Sequence, residues 1–223
     1  MVFFIILLLL LNGIALSYVS SCRDLGVTVK SDLSFSVHVN NIAAKAHQRA
    51  NAIHKCFTSR NTNLLVRASL TYVRPLLEYN SIIWSPHFKC NVDTIEKVQR
   101  RFTKRIPGFG NCSYDECLNL LHLPILEIRR LRYDLIWCYK ILFSHVKVCS
   151  SDLFDFRVSS TRGHPYKLFK HRCSNTTRSV FFTECVINVW NSLPPDIVNF
   201  STLIAFKRSI NTVDLSAYCI GSV

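Results

Sequence analysis

Acidic residues are scarce in this chain. Its 223 residues include 14 aspartates and glutamates against 27 lysines and arginines, which gives a formal net charge of +13. No charged residue precedes Arg23, so the whole excess lies on the rest of the chain. A chain this basic favours a polyanionic partner, which would be RNA, DNA or an anionic membrane surface.

The common motifs of enzyme sites are also absent from the sequence. The six glycines form no phosphate-binding loop, and neither Gly-x-Ser-x-Gly nor His-Glu-x-x-His occurs. The closest approach to a carboxylate pair is Asp115 with Glu116, but Ser113 and Glu116 have the spacing of a helix capping box. We interpret the eight histidines as surface or core residues. No catalytic residue, cofactor or small-molecule substrate is therefore predicted.

Paired cysteines of the Cys-x-x-Cys type are missing although the chain has ten cysteines. Zinc knuckles and redox motifs need such pairs. Reduced thiols are the favoured interpretation, and disulfides or a metal site are the alternatives. The best metal candidate combines Cys112, Cys117 and His122, but its spacing matches no common zinc signature. We predict no metal site.

One long apolar run is present, from Val2 to Leu11. It is too short to span a bilayer, which takes about 20 residues. Its length suits the hydrophobic part of a signal peptide, and Ala15 to Ser17 would serve as a cleavage site, but no basic residue precedes the run. Residues 1–22 are thus either a signal or anchor, or a chance leader joined to a fragment that begins near Arg23.

The signal interpretation carries consequences for the rest of the chain. It implies a secreted or membrane-anchored basic protein in which some cysteines are oxidised. Three asparagines head N-x-S/T sequons and would become glycosylation sites: Asn111, Asn175 and Asn199. Sequons arise often by chance, so they decide little between the alternatives.

Hydrophobic periodicity predicts a mainly α fold. Leu25, Val27 and Val29 alternate and indicate a short strand or hairpin, whereas from Val39 the apolar residues recur every three or four positions, as in a long helix. Further helices are predicted from Asn61 or Thr62, from Asn91 or Asp93 to Pro107, from Ser113 to Leu121, from Pro124, around Val180 to Trp190 and from Ser201, with Tyr79 and Trp84 as core anchors. The predicted segments are a leader (1–22), a strand or hairpin (23–37), a helical domain (38–145), a basic loop region (146–179) and a helical tail (180–223).

Three basic stretches are candidates for nucleic-acid contact. The first is the helix "IEKVQRRFTKRIPG", where cations lie mainly opposite an apolar stripe and Glu96 has the spacing to pair with Arg100. The second lies on the helix after Pro124, and the third is the acid-free segment from Arg157 to Arg178. The candidate residues are Lys97, Arg100, Arg101, Lys104 and Arg105 in the first, Arg129, Arg130 and Arg132 in the second, and Arg162, Lys167, Lys170 and Arg172 in the third. The alternative for each stretch is an ordinary solvated face.

Two aromatic residues, Tyr166 and Phe169, are interleaved with the third stretch. Stacking on unpaired bases is one interpretation of them, and a place in the core is the other.

Five stretches, in this order, carry a resemblance to a known family: "DLGVTVKSDLSFSVHVNNIAAKAHQRA", "TYVRPLLEYNSIIWSP", "IEKVQRRFTKRIPG", "CSYDECLNLLHLPILEIRRLRYDL" and "FFTECVINVWNSLP". Together they resemble the C-terminal part of the polymerase of animal non-LTR (LINE-type) retrotransposons, of the jockey and chicken-repeat kind. The resemblance runs from about Arg23 to Ile210. It implies the end of a reverse-transcriptase palm followed by a helical thumb-like bundle and an irregular basic C-terminal region.

The resemblance also implies what is missing. In that family a palm strand holds two carboxylates for the catalytic magnesium ions, and this sequence has no Asp-Asp pair. A truncated fragment without the nucleotidyl-transfer centre is thus expected, with RNA or DNA as non-specific partners and the absent palm as a further one. By family its location would be nuclear or cytoplasmic. The signal interpretation would place it in the secretory pathway or membrane, and a truncated genomic copy explains residues 1–22 more simply.

Overall fold

The computed structural model describes residues 10–11, 14–15, 18–157, 163–173 and 176–220. The fold is mainly α with a short N-terminal β-hairpin, as the sequence predicts. Two antiparallel strand pairs precede the helices: β1 (Leu10–Leu11) with β2 (Ile14–Ala15), and β3 (Ser21–Asp24) with β4 (Val27–Lys30). The predicted boundary between residues 22 and 23 therefore lies within β3.

The helices follow in two groups, separated by a short strand pair. The first group is α1 (Ser36–Cys56), α2 (Thr62–Tyr72), α3 (Arg74–Glu78), α4 (Ser81–Trp84), α5 (Lys89–Lys104), α6 (Tyr114–Leu121) and α7 (Leu126–Leu142). After a 3₁₀ turn at Ser150–Asp152 come β5 (Asp155–Phe156) and β6 (Leu168–Phe169), which pair with each other, then α8 (Thr176–Ser179), α9 (Phe182–Ser192), α10 (Leu203–Ile210) and a 3₁₀ turn at Ser216–Tyr218.

The loop between β3 and β4 consists of two residues with positive φ, Leu25 at 44° and Gly26 at 87°. Two positive φ angles suit a tight hairpin turn, in which glycine is unstrained and leucine is not. The Tyr79 hydroxyl donates a hydrogen bond of 3.2 Å to the Leu25 carbonyl and so supports the turn. Tyr79 is 60% exposed, so its predicted place in the core is wrong, whereas Trp84 is fully buried as predicted.

Local capping residues fix several helix starts. The Asn61 side chain accepts from the Leu64 amide at 3.1 Å, and Ser113 and Glu116 form both arms of the predicted capping box. The start predicted for the basic helix is wrong, because α5 begins at Lys89, ahead of both expected caps. Asn91 is instead buried, and its amide donates to the Ser36 hydroxyl at 3.0 Å.

Removing the cap of α2 should lower stability measurably. We expect Asn61→Ala to reduce the free energy of unfolding by ~1 kcal/mol, because the Leu64 amide loses its side-chain acceptor. Asn63→Ala, on an exposed residue of the same helix, is the matched control and should change it by less than about 0.5 kcal/mol. Urea denaturation followed by circular dichroism measures both, and equal effects would contradict the capping role.

Two hydrophobic clusters build the core, and α7 takes part in both. The first contains the buried faces of α1 to α5 together with Leu126 at the start of α7. The second contains Leu135, Cys138, Tyr139 and Ile141 of α7, packed against β6, α9 and α10. Tyr139 donates to the Phe200 carbonyl at 2.9 Å. The C-terminal tail therefore contributes to a core of its own, which is assembled on the second half of α7.

Among the described residues, the helices are either too short or too polar to cross a bilayer.

Candidate nucleic-acid interface

Helices α1 and α5 lie side by side and run parallel. Near their N-terminal ends Asn91 contacts Ser36, and near their C-terminal ends the Arg105 guanidinium donates to the Asn51 side chain. Close to the second contact the rings of His54 and Phe102 pack at a centroid distance of 4.6 Å. Because the helices are parallel, the cations at the end of α5 lie beside the last turns of α1.

A groove opens between the two helices at this end. Its volume is ≈ 560 Å³, and it is lined by His47, Ala50, Asn51, Val98, Arg100, Arg101, Phe102, Lys104 and Arg105. Four of the five cations predicted on the basic helix thus come together, while Lys97 is exposed elsewhere on α5. The lining holds four cations and no acidic residue, which makes the groove a site for anions.

The floor and the walls of the groove differ in chemistry. Ala50, Val98 and Phe102 are buried and apolar, whereas Arg101, Lys104 and Arg105 are exposed. In the part of the chain that the structure describes, no carboxylate forms an ion pair with these three cations. Their charges are therefore available to a ligand.

Part of this clustering has a structural explanation. Both helices end here, and cations in a last turn stabilise the negative end of a helix dipole by about 0.3–1 kcal/mol each. Arg101 and Lys104 lie in the last turn of α5, and Lys55 lies in the last turn of α1. The dipole accounts for cations at each helix end, but it does not account for their lining one open groove.

Arg100 has a mixed environment. It is half-buried, its guanidinium carbon lies 4.7 Å from the centre of the Tyr114 ring, and its Nε is buried with no hydrogen-bond partner among the described residues. The predicted pair with Glu96 is absent from the described contacts, because the Glu96 carboxylate faces α6 and α7 instead. Arg100 therefore supports the groove wall more than it extends from it.

Two groove residues on α1 were not predicted from the sequence. His47 and Asn51 belong to a strip that recurs every four residues and continues to the exposed Lys55. Burial lowers the pKa of His47, and the nearby Arg101 lowers it further, as expected inside a positively charged groove. No motif marks these residues. The four-residue spacing alone could have suggested them.

The second predicted stretch does not form a basic surface, so that prediction needs correction. Arg130 is 1% exposed and lies among carboxylates, so it cannot reach a phosphate in the folded chain. Arg129 forms an ion pair with Glu78, and its Nη2 is 3.1 Å from Glu78 Oε2 and 2.8 Å from the Tyr133 hydroxyl. Arg132 donates to the Asn211 carbonyl at 3.0 Å. Arg129 and Arg132 therefore make contacts within the fold, and Arg130 is buried inside it.

The third predicted stretch is only partly described, because Arg162 lies outside the described residues. Lys170 and Arg172 are exposed and Lys167 is half-buried, all next to β6 in the second cluster and not in the groove. Tyr166 packs against Phe143 and Phe200 and therefore belongs to the core. Phe169 is 48% exposed, so its stacking on bases stays a prediction.

A buried polar network lies behind the groove and joins α5, α6 and α7. The Glu96 carboxylate, 5% exposed, accepts from the Tyr114 hydroxyl and from the Leu126 amide at 3.1 Å. The Gln99 side chain donates to the Tyr114 hydroxyl at 3.1 Å and to the Pro124 carbonyl at 3.0 Å. Burial raises the pKa of Glu96, and these hydrogen bonds and Arg130 oppose that effect. The network sets the position of α5 against the rest of the fold.

Asp134 makes the stability of the fold depend on pH. Its Oδ1 is buried without a hydrogen-bond partner among the described residues, and burial raises the pKa of Asp134 from 3.8 to about 7, with Arg130 acting in the opposite direction. The folded chain therefore keeps a proton between pH 4 and pH 7 that the unfolded chain releases. Because the folded pKa is the higher one, this group's contribution to stability is present below pH 4 and is lost as pH rises to 7.

Replacing Asp134 should remove that pH dependence. We expect Asp134→Asn to raise the free energy of unfolding by ~2 kcal/mol more at pH 8 than at pH 5. Each unit by which burial raises the pKa of Asp134 corresponds to about 1.36 kcal/mol, and the partial exposure of the residue reduces that figure. Urea denaturation at both pH values measures the difference between variant and parent. A difference that is the same at pH 5 and pH 8 would contradict the assignment.

No metal site accompanies these charges in the described parts of the chain. No group of three or more histidine, cysteine or acidic side chains there could hold an ion, so the candidate Cys112, Cys117 and His122 is not assembled. All ten cysteines are free thiols, of which Cys117 and Cys138 are buried.

Comparison with known proteins adds one distant relative. The chain is 25% identical over 123 residues to an uncharacterized protein of Caenorhabditis elegans, a match that covers 51% of this chain and 62% of the relative. The chain thus spans less than two thirds of that relative's length. No protein-family profile matches the sequence. No solved structure matches it either.

Proposed function

We propose that this chain is a fragment of a non-LTR retrotransposon RNA-directed DNA polymerase that binds nucleic acid without sequence preference through the α1/α5 groove. The observation that carries the binding proposal is the set of exposed cations Arg101, Lys104 and Arg105 on one wall of that groove, where no carboxylate of the described residues forms an ion pair with them. The retrotransposon origin is supported by the five ordered sequence stretches, and a mainly helical fold is compatible with it.

The chemistry of the groove suits phosphates better than base edges. Lysine and arginine on a rigid helix neutralise phosphates whatever the sequence, whereas base readout needs side chains inserted into a duplex groove. The apolar floor formed by Val98 and Phe102 offers few polar groups to tell one base from another. Binding should therefore be electrostatic, salt-sensitive and shared by RNA and DNA.

The proposal includes no polymerase activity. Nucleotidyl transfer by this family depends on paired carboxylates that hold magnesium, and the sequence contains no Asp-Asp pair. The residues proposed to act bind and orient a template–primer and do no chemistry. A palm domain of such a polymerase is the proposed protein partner, and the nucleus or cytoplasm is the proposed location.

The secreted alternative keeps one observation in its favour. Asn111 and Asn199 are both exposed, as glycosylation acceptors must be, while Asn175 lies outside the described residues. Expression in animal cells followed by glycosidase treatment separates the two proposals. A mobility shift would favour secretion, and an unmodified chain would favour the retrotransposon fragment.

The binding proposal is tested by titrating the full chain with a short RNA–DNA hybrid at several salt concentrations. With three to four phosphate contacts, the logarithm of the association constant should fall with the logarithm of salt with a slope of roughly −3. Affinities for hybrids of unrelated sequence should agree within about threefold. Weak binding with a flat salt dependence would overturn the proposal.

A further inference from the structure

The turn before α6 places two cysteines at positions that pack against each other. Cys112 directly precedes the N-cap Ser113, and Cys117 is the fourth residue of the helix. These are the two positions of a hydrophobic staple, in which the side chain before the cap packs against that of the fourth helical residue. Both arms of the capping box are formed, at 3.2 Å and 2.6 Å, so the turn is well defined. The staple consists of two thiols instead of two apolar side chains.

The sulfur contacts agree with this placement. Cys112 Sγ lies 3.9 Å from the Gly108 carbonyl, and Cys117 Sγ lies 3.8 Å from the carbonyl of the following residue, Phe109. Burial raises the pKa of the Cys117 thiol, and the adjacent Cys112 raises it further. Both thiols therefore sit against the same short segment that links α5 to α6.

We propose that Cys112 and Cys117 are a redox-sensitive pair that closes reversibly into a disulfide across the start of α6. This inference does not depend on nucleic-acid binding. Cys112 is half-buried and can meet a small oxidant, whereas Cys117 is fully buried and closed to solvent. The other cysteines lack such a partner at staple spacing. Cys56 and Cys90, for example, lie at opposite ends of the parallel pair α1 and α5.

The reaction needs a low-molecular-weight disulfide, such as oxidised glutathione, as the oxidant. The Cys112 thiolate attacks one sulfur of the oxidant, its S–S bond breaks, and one thiolate leaves and takes up a proton. Cys117 then gives its proton to solvent and attacks Cys112 Sγ, which expels the second thiolate. Two electrons pass from the cysteines to the oxidant, so one disulfide forms and two small thiols are released. Lys104, whose charge lowers the pKa of Cys117, assists the second step.

The closed form would fix the capping box and the link between α5 and α6. Cys117 contacts the carbonyl of Phe109, which lies in the segment that follows Lys104, the last residue of α5. The disulfide would thus report the redox state of the surroundings at the end of the basic helix.

The test uses the full chain. One tryptic peptide, residues 106–129, contains both cysteines and no other cysteine, so the state of the pair is read from that peptide. The chain is incubated with oxidised glutathione, alkylated, digested and analysed by mass spectrometry. We expect this peptide to lose two hydrogens, about 2 Da, to carry no alkyl group or glutathione, and to recover both thiols on reduction. Peptides with Cys56 or Cys90 should instead carry glutathione or an alkyl group.

Two controls separate the folded geometry from chance proximity. In 6 M urea, closure should be about tenfold slower or more, because the staple no longer holds the thiols together. In Cys117→Ser, glutathione should stay on Cys112. Persistent glutathione on Cys112 of the parent chain, or closure that is equally fast in urea, would overturn the proposal.

Discussion

Changing Arg101, Lys104 and Arg105 together to alanine should weaken binding to an RNA–DNA hybrid by about 100-fold near 0.1 M salt. Each of these exposed cations is expected to neutralise one phosphate, and each lost contact flattens the salt slope by roughly 0.9. The slope should therefore fall by about 2.7 in total. Fluorescence anisotropy across a salt series measures both quantities.

A charge-matched control separates the groove from net charge. Arg67, Lys207 and Arg208 are exposed and lie outside the groove, so changing them to alanine removes the same charge. We expect this variant to bind within about fivefold of the parent, since only diffuse attraction is lost. If both triple variants lose affinity equally, the groove has no special role and the basic helix is an ordinary solvated face.

Truncating Glu96 should produce the largest loss of stability. Glu96→Ala leaves the Tyr114 hydroxyl and the Leu126 amide without their acceptor, and it removes a carboxylate from the surroundings of the buried Arg130. Removing one partner from a buried charged network typically costs about 3–5 kcal/mol, and we expect a loss of stability of that size here. Urea denaturation at pH 7 measures the loss.

Two further variants sharpen this test. Asp196→Ala changes an exposed carboxylate and should shift the free energy of unfolding by less than about 0.5 kcal/mol. Glu96→Gln keeps an acceptor and the volume, so it should cost less than Glu96→Ala. A loss below about 1 kcal/mol for Glu96→Ala would show that the network does not organise α5, α6 and α7.

Features that depend on neighbouring residues could be predicted from the sequence. Asn61 caps α2 and Ser113 starts α6 with a capping box, because both contacts lie within one helical turn. The alternation of Val27 and Val29 indicated the strand β4, although Leu25, expected on the same face, lies in the turn before it. The three- and four-residue spacing from Val39 gave α1. Periodicity shows which residues share a face of a helix or strand, and contacts within one helical turn follow from it.

Features that depend on distant residues could not be predicted. On the helical pattern of α7, Arg130 lies opposite the apolar stripe and was expected in solvent. In the structure, α7 packs against α4 and α5 on one part and against α9 and α10 on another, which covers Arg130 as well. A single helix pattern does not reveal a second packed layer. For the same reason Glu96 was expected on an exposed face and is buried.

The residues of the groove were predicted only in part from the sequence. Four of its cations were named because α5 carries them in one short stretch. His47 and Asn51 were missed, because the parallel pairing of α1 with α5 joins residues about 50 positions apart and has no local signal. Which cations share a surface is decided by helix packing, and that became visible only in the fold.

Lysine footprinting locates bound nucleic acid on the surface of the folded chain. The chain is acetylated briefly with and without saturating RNA–DNA hybrid, and the modification of each lysine is read by mass spectrometry. The account predicts strong protection of Lys104 in the groove and of the adjacent Lys55, with Lys207 on α10 unaffected. Equal reactivity of Lys104 in the free and bound chain, with protection at Lys170 or Lys207 instead, would contradict it.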